Sequence, residues 1–294
     1  MAINFSLSKT NNSHFAQVIG SNQPKFLIGK ETVYQQTKHG LINLTVADGL
    51  AYDAEKYKKE YKFWAYFIAP TAAAESKNSF LCLNTYDRAK FTFGFMQYAA
   101  HVPNGDFVRF FKELLALPNA KEYFPKIVLK DKRVFYRETT GAMTQLEDDR
   151  TTEGLMNYLN PSLDNIENQE LICSARFVHW AMNDAVHRRL QVKIAVEHFK
   201  KNMQSYAESY NLDGFPAKVC QIICDIRHQG RAKSVDIINA INTRGNFELA
   251  YNKLLQLGQP LYASRISTVK TVIKKLSDTG VFNKKYKQST NEFV

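Results

Sequence analysis

The chain lacks the features that mark several protein classes. It has no apolar run near the roughly 20 residues that a membrane-spanning helix needs, so no membrane span is predicted. It has only four cysteines, Cys82, Cys173, Cys220 and Cys224, without the short spacings of a disulfide scaffold. No His or Cys pair completes a metal site with Cys220 and Cys224, so we expect buried free thiols and no bound metal.

Acidic residues are scarce relative to basic ones. The chain has 39 Lys and Arg against 28 Asp and Glu, a formal net charge of +11. Such a field favours anionic partners, and both nucleic acid and the anionic bacterial wall fit it. No helix-turn-helix, zinc-finger or ribonucleoprotein signature supports a nucleic-acid partner. Charge alone does not choose between nucleic acid and the wall, and an ordinary basic surface is the remaining interpretation.

The composition is typical of a folded globular protein. Apolar residues make up 45% of the chain and charged residues 23%, and 294 residues can bury a substantial core. The first fifty residues are rich in Asn, Gly, Gln and Thr and contain short β-prone pieces. We predict a small appendage over residues 1–50 and one main domain over residues 51–294.

The remaining pattern predicts a mainly α protein of α+β class with a small β-hairpin or sheet. Aromatic residues at helical spacing follow Asp53 and indicate a helix that ends at Pro70, with a short helical piece over residues 71–75. Residues 80–98 lose this spacing and predict a hairpin. Some forty residues from about Glu170 contain no Pro or Gly and indicate long helix with a break.

Two carboxylates fall on opposite sides of the predicted helix-to-hairpin transition. Glu75 lies at the end of the short helical piece, and Asp87 lies in the polar turn of the hairpin, before the run from Gly94 to Gln97. Two carboxyl groups flanking one glycosidic bond are the minimum equipment of most glycoside hydrolases. The spacing therefore suggests a site that cleaves sugar chains.

These motifs resemble those of the lysozyme-like superfamily. Glu75-Ser76 followed by Gly94-Phe-Met-Gln97 is similar to goose-type lysozymes and soluble lytic transglycosylases. The segment from Asp87 to Gly94, with residues 105–106 and 225–230, looks more like the chitosanase branch. The resemblance implies a lysozyme-like fold with Glu75 as general acid, Asp87 as the base that activates water, and Thr92 as a hydroxyl that holds this water. The family pattern places Gly directly after the Asp, where this chain has Arg88, so no role is carried over to Arg88.

Five further residues are predicted to bind substrate. Gln97 is expected to hydrogen-bond an N-acetyl or hydroxyl group, and its alternative role is to tie down backbone. Tyr98 is expected to stack on a sugar ring or, alternatively, to fill core. His101 is expected to line the cleft, and Asp225 and His228 to support its far wall or to touch substrate. No cofactor is implied.

The chemistry sets opposite requirements on the two carboxyl groups. A general acid near neutral pH needs a raised pKa, and burial among aromatic residues such as Tyr66, Phe67 and Phe80 predicts a raised pKa for Glu75. Asp87 is expected to stay ionised beside the cationic residues that follow it in the turn. Acid and base roles require such a separation.

The resemblance implies a muramidase that cleaves the β-1,4 bond between N-acetylmuramic acid and N-acetylglucosamine in peptidoglycan, with inversion at the anomeric carbon. The amino terminus lacks a secretory signal. We therefore expect synthesis in the cytoplasm and action on the bacterial wall after release through a holin or delivery by a secretion system, with an immunity protein as a possible partner. Chitosanase, lytic transglycosylase and a noncatalytic basic module that binds wall polymer or nucleic acid are the alternatives.

Overall fold

Helical and β-prone segments of the chain give an α+β fold, as predicted. The computed structural model describes residues 2–294. Within these residues there are eleven α-helices, a seven-stranded antiparallel sheet and two smaller sheets. None of the helices in this range is both long and apolar enough to cross a membrane. The chain divides into two units, the first containing the residues up to Ala51 and Ser79–Ile194, the second containing Tyr52–Asn78 and Ala195–Val294.

The first unit contains ten strands and the helices that pack on them. Its strands are β1 (Phe5–Thr10), β2 (Ser13–Val18), β3 (Phe26–Tyr34), β4 (Lys38–Asn43), β5 (Leu83–Asn84), β6 (Thr92–Phe93), β7 (Tyr98–Ala99), β8 (Ile127–Lys130), β9 (Arg133–Arg137) and β10 (Met143–Gln145). Its helices are α3 (Asp106–Leu115), α4 (Ala120–Tyr123), α5 (Glu153–Leu159), α6 (Asn168–Asn183) and the first part of α7 (Ala185–Tyr210). The break between α6 and α7 at Asp184 agrees with the predicted interruption of the long helical segment.

The first fifty residues are part of the main sheet of the first unit. Strands β1 to β7 follow one another in order, each antiparallel to the next, so β4 pairs directly with β5 of the predicted hairpin region. This arrangement differs from the separate appendage predicted over residues 1–50. The composition of this segment indicated strands correctly but carried no information about their partner forty residues later in the chain.

A glycine lets β4 approach the hairpin turn closely. A Cβ atom on Gly40 would lie 2.8 Å from backbone atoms of Thr85 and Tyr86, closer than real Cβ contacts. The Thr85 hydroxyl accepts a hydrogen bond from the backbone N–H of Leu41 at 2.6 Å. The β3–β4 hairpin is therefore held directly against the turn that carries Asp87.

A buried carboxyl group lies on the other side of Thr85. The Thr85 hydroxyl donates to Glu170 Oε1 at 2.5 Å, while Glu170 Oε2 is buried without a partner among residues 2–294. Burial raises the pKa of Glu170 to about 7. A neutral carboxyl group is therefore the favoured form of Glu170 in the folded protein at mildly acidic pH.

Glu170→Gln tests this burial. The folded protein holds a proton on Glu170 that the unfolded chain releases near the ordinary glutamate pKa of 4.5, so wild-type stability should fall as pH rises from about 4.5 to about 7. The neutral Gln side chain removes this dependence. We compare the free energies of unfolding of the variant and the wild type in urea. The difference between them should shift in favour of the variant by up to about 3 kcal/mol between pH 4.5 and pH 8. An unchanged pH dependence would contradict a raised pKa at this site.

The second unit is a set of helices with a short two-stranded sheet. Its elements are α1 (Ala54–Tyr61), α2 (Phe63–Ser76), the second part of α7, α8 (Ala217–Gln229), α9 (Ser234–Ile241), α10 (Phe247–Gln256), α11 (Ala263–Asp278), β11 (Tyr286–Lys287) and β12 (Glu292–Phe293). Helix α2 packs against α1, α8 and α11 and is buried along most of its length. Such an all-round apolar helix is expected at the centre of a helical unit.

The predicted helix boundary at Pro70 is wrong. Helix α1 begins after Asp53, as the sequence indicated, and the Asp53 side chain caps it by accepting a hydrogen bond from the backbone N–H of Glu55. The chain breaks at Lys62, which has a φ of 51°, and α2 then continues through Pro70 to Ser76. Proline inside a helix removes one backbone hydrogen bond, and the burial of most of α2 offsets this cost. One continuous helix therefore carries Glu75.

Candidate functional site

The candidate site is built around Glu75, in the last turn of α2. The helix ends at Lys77, whose left-handed conformation directs its backbone N–H back to the carbonyl groups of Ala72 and Ala73. This cap fixes the final turn, and the Glu75 side chain keeps only 16% of its surface exposed. The carboxyl group is therefore held on rigid backbone and is largely shielded from water.

Two cationic or potentially cationic groups contact the same oxygen of Glu75. Arg265 Nη1, from α11, donates to Glu75 Oε1 at 2.7 Å, and His228 Nε2, from α8, lies 3.2 Å from the same atom. Glu75 Oε2 accepts no hydrogen bond from residues 2–294. The carboxyl group is thus anchored through one oxygen, and the other remains available.

Behind Glu75 lies a buried ionic network centred on Asp225. Arg265 Nη2 donates to Asp225 Oδ1 at 2.8 Å, and Arg231 Nη1 donates to Asp225 Oδ2 at 2.5 Å. The side chains of Asp225 and Arg231 have no exposed surface. The Thr71 hydroxyl of α2 donates to Asp225 Oδ1 at 3.0 Å. Arg265 therefore links Glu75 to a fully desolvated charge pair.

The pKa of Glu75 differs from the sequence prediction. Burial acts to raise the pKa, as expected, but His228 and Arg265 outweigh burial, and the pKa of Glu75 lies below its usual value. The prediction of a raised pKa is therefore wrong for the protein without substrate. It considered neighbouring aromatic residues and not the two basic side chains from distant helices.

His228 was predicted to support the far wall of the cleft or to touch substrate, and its side chain contacts Glu75. Its side chain is 20% exposed and packs against the rings of Phe199 and His198 at centroid distances of 5.8 Å. Asp225, predicted to support the far wall or touch substrate, has no exposed surface and only the supporting role fits it. His228 thus contacts Glu75 directly, whereas Asp225 acts on it through Arg265.

Asp87 occupies a turn of the first unit, as predicted. Its Oδ1 accepts from the backbone N–H of Ala89 at 2.8 Å, and its Oδ2 accepts from the Asn84 amide at 3.0 Å. Asn84 on β5 pairs directly with Thr92 on β6, so these two side chains share one face of the sheet. The structure therefore gathers Asp87 and Thr92 around Asn84, a residue that the sequence analysis did not select.

Gln97 and Tyr98 have local structural roles. The Gln97 amide donates to the carbonyl oxygen of Gly94 at 3.1 Å, which matches the alternative of tying down backbone. Tyr98 is 4% exposed, and its hydroxyl donates to the carbonyl oxygen of Gln191 at 2.5 Å. Sugar stacking is therefore excluded for Tyr98 in this conformation because its ring is part of the core.

His101 lies in the loop between β7 and α3. Burial lowers the pKa of His101, and the positive charge of Arg88 acts in the same direction, whereas Asp87 opposes them. The Nδ1 atom is buried without a partner among residues 2–294. The charges of the Asp87 turn therefore act on His101, and its predicted contact with substrate stays a prediction.

Arg265 and Arg231 are the main site residues that the sequence analysis missed. Arg265 is 190 positions from Glu75 and belongs to no short motif. Asp225 lies in the segment 225–230 that resembles the chitosanase branch. A carboxylate on the apolar helix α8 was a signal that a buried basic partner was needed.

The described residues contain no group of three or more His, Cys, Asp or Glu side chains that could hold a metal ion. All four cysteines are buried and none forms a disulfide bond, as predicted. Burial raises the pKa of Cys173 to about 12, which makes it an inert thiol. Comparison of the chain with protein-family models, curated proteins and solved structures gives no match.

Proposed function

We propose that the protein is a muramidase that hydrolyses the β-1,4 bond between N-acetylmuramic acid and N-acetylglucosamine in peptidoglycan. The observation that carries this proposal is the Glu75 carboxyl group, anchored through Oε1 by Arg265 and His228 while Oε2 accepts no hydrogen bond from residues 2–294. A general acid needs this arrangement because one oxygen must be oriented and the other must reach the glycosidic oxygen.

The buried network supports a functional role for this carboxyl group. Burying ionic groups is costly, and apolar residues of similar volume often give equal or greater stability. The second unit nevertheless buries Asp225 and Arg231 completely and connects them through Arg265 to Glu75. Fixing the orientation of a reactive group is a benefit that an apolar core would not provide.

Protonation of Glu75 is coupled to substrate binding in this proposal. Without substrate, His228 and Arg265 keep the pKa of Glu75 low. A sugar ring placed over Oε2 excludes water from the carboxyl group, and desolvation favours its neutral form. Glu75 is thereby protonated when a glycosidic oxygen is present to receive the proton.

Asp87 is proposed as the base that activates water, with Thr92 helping to position this water. Asp87 lies in a fixed turn, and Asn84 connects it to the strand that carries Thr92. Activation of water by a base, in place of a covalent enzyme intermediate, leads to inversion at the anomeric carbon.

The charge distribution favours an anionic polymer as substrate. The second unit, which carries Glu75, contains 20 basic and 12 acidic residues, a net charge of +8, and the first unit accounts for the remaining +3. Attraction to wall carboxylates and phosphates raises the local concentration of substrate. Cationic chitosan would be repelled, so this charge disfavours the chitosanase alternative.

Product analysis on purified peptidoglycan sacculi tests the proposal. We expect the wild-type protein to release muropeptides with a new reducing N-acetylmuramic acid end, identified by mass spectrometry, and Asp87→Ala to lose this activity. Anhydro-muramyl products that persist in Asp87→Ala would instead identify a lytic transglycosylase. No release of fragments, together with binding to sacculi or DNA that weakens steeply with salt, would favour the noncatalytic module.

A further inference from the structure

Two tyrosine rings form an exposed pair beside the Asp87 turn. Tyr34 at the end of β3 and Tyr86, immediately before Asp87, have ring centroids 5.7 Å apart and ring planes 40° apart. Tyr34 is 42% exposed, and Tyr86 is half-buried. Tyrosine is intermediate in burial among the residue types, and two rings packed together at the surface form a small apolar face next to a proposed catalytic residue.

The backbone holds this pair in place. Gly40 on β4 lies against the backbone of Thr85 and Tyr86, where no larger residue fits. The Thr85 backbone N–H donates to the carbonyl oxygen of Leu41 at 3.0 Å. The hairpin that carries Tyr34 is therefore attached to the turn that carries Tyr86, and the two rings present a preorganised surface.

Two basic side chains flank the pair. Lys38 on β4 is directly opposite Tyr34 in the antiparallel register and shares its face of the sheet. Arg88 is exposed and follows Tyr86 by two residues. Neither makes an ion pair with another of residues 2–294. An apolar, ring-shaped surface is thus combined with two positive charges that have no internal counter-ion.

We propose that Tyr34 and Tyr86 form a binding platform for a sugar unit that carries a carboxylate, with Lys38 and Arg88 contacting that carboxylate. The platform rests on the proposed function, because it places an N-acetylmuramyl unit of the glycan strand beside Asp87. It assigns substrate selection to the β3–β4 hairpin, within the segment whose role the sequence left open.

The chemistry of the ligand follows from the two kinds of contact. The C–H face of a pyranose ring packs on aromatic rings, and the phenolic hydroxyl groups can bond to sugar hydroxyl groups. The lactyl group of N-acetylmuramic acid supplies a carboxylate when its stem peptide is absent, which suits a guanidinium group. Neutral N-acetylglucosamine has the ring but no carboxylate. The platform should therefore bind strands that contain N-acetylmuramic acid more tightly than oligomers of N-acetylglucosamine.

Binding measurements on an inactive background test the platform without turnover. In Glu75→Gln protein, the added Tyr34→Ala change should raise the half-saturating concentration of peptide-free glycan strands about two- to tenfold, and Tyr34→Phe should restore most of the affinity. Arg88→Gln should weaken binding to these strands and leave binding to neutral N-acetylglucosamine oligomers unchanged. In the active protein, the Tyr34→Ala loss should fall on KM rather than on kcat.

The matched control is Tyr136→Ala. Tyr136 belongs to the separate sheet of β8 to β10 and forms a similar tilted pair with Tyr158, with centroids 5.9 Å apart. It should bind glycan strands as the parent does. Equal binding by the Tyr34→Ala and Tyr136→Ala proteins would overturn the platform, even if the protein hydrolyses sacculi. Tyr34-dependent glycan binding without any hydrolysis would support the platform and remove the muramidase proposal.

Discussion

Glu75→Gln is expected to lower kcat/KM on peptidoglycan by about 10² to 10⁴ fold, the usual contribution of a general acid. The amide has the size of the carboxyl group and still accepts the hydrogen bond from Arg265, but it cannot donate an acidic proton to the glycosidic oxygen. Initial rates of reducing-end release from sacculi, measured beside circular dichroism and thermal unfolding, separate lost chemistry from lost folding.

Glu248→Gln provides the control for Glu75→Gln. Glu248 on α10 also belongs to the second unit and also pairs with a basic side chain, Lys218, but it is 64% exposed. Its replacement should leave the rate of hydrolysis unchanged. Equal activities of the Glu75→Gln protein and the wild type would remove Glu75 from the acid role.

The pH dependence of the rate gives a second readout of the same residue. Because the pKa of Glu75 is lowered and its protonated form is the active one, wild-type kcat/KM should fall as pH rises through the acidic range. His228→Gln removes one of the two side chains that lower the pKa of Glu75 and should raise this pKa, which moves the decline to higher pH. A purely structural role for Glu75 would not produce this displacement.

Asp225→Asn is expected to lower the free energy of unfolding by about 3 to 5 kcal/mol, the cost of removing one partner from a buried ionic group. Asp225 neutralises both Arg231 and Arg265, and two nitrogen atoms of Arg231 already lack partners. The Asn side chain keeps the volume but leaves the buried Arg231 without a counter-ion and Arg265 with Glu75 alone. Urea unfolding at neutral pH measures the loss.

Asp278→Asn is the matched control for this stability effect. Asp278 pairs with Lys274 on the surface of α11, where the two side chains are 61% and 72% exposed. Exposed pairs of this kind contribute little because water and salt screen them. A similar small effect of Asp225→Asn would show that the network does not carry the stability assigned to it.

Local signals in the sequence were sufficient to predict several elements. Asp53 was predicted at the start of α1 and caps it, and Gly230 closes α8 in the left-handed conformation. These features depend on hydrogen bonds and backbone preferences within a few residues. The polar turn of Asp87 was predicted for the same reason.

Features that depend on distant contacts could not be predicted. Pro70 lies inside α2 because surrounding packing supports the helix, and β4 pairs with β5 across some forty residues. The low pKa of Glu75 depends on Arg265, which approaches it only in the folded chain. Position 75 was therefore identified from its local motif, whereas its electrostatic environment required the structure.

Hydrolysis of sacculi in water enriched in heavy oxygen tests the central claim most directly. In the proposed reaction Glu75 protonates the glycosidic oxygen, and one water oxygen is joined to the anomeric carbon as that bond breaks. Mass spectrometry should find the heavy isotope in each new N-acetylmuramic acid end formed by the wild-type protein, and no such ends with Glu75→Gln. Fragments without the isotope, or labelled fragments formed equally well by Glu75→Gln, would contradict acid-assisted hydrolysis at this site.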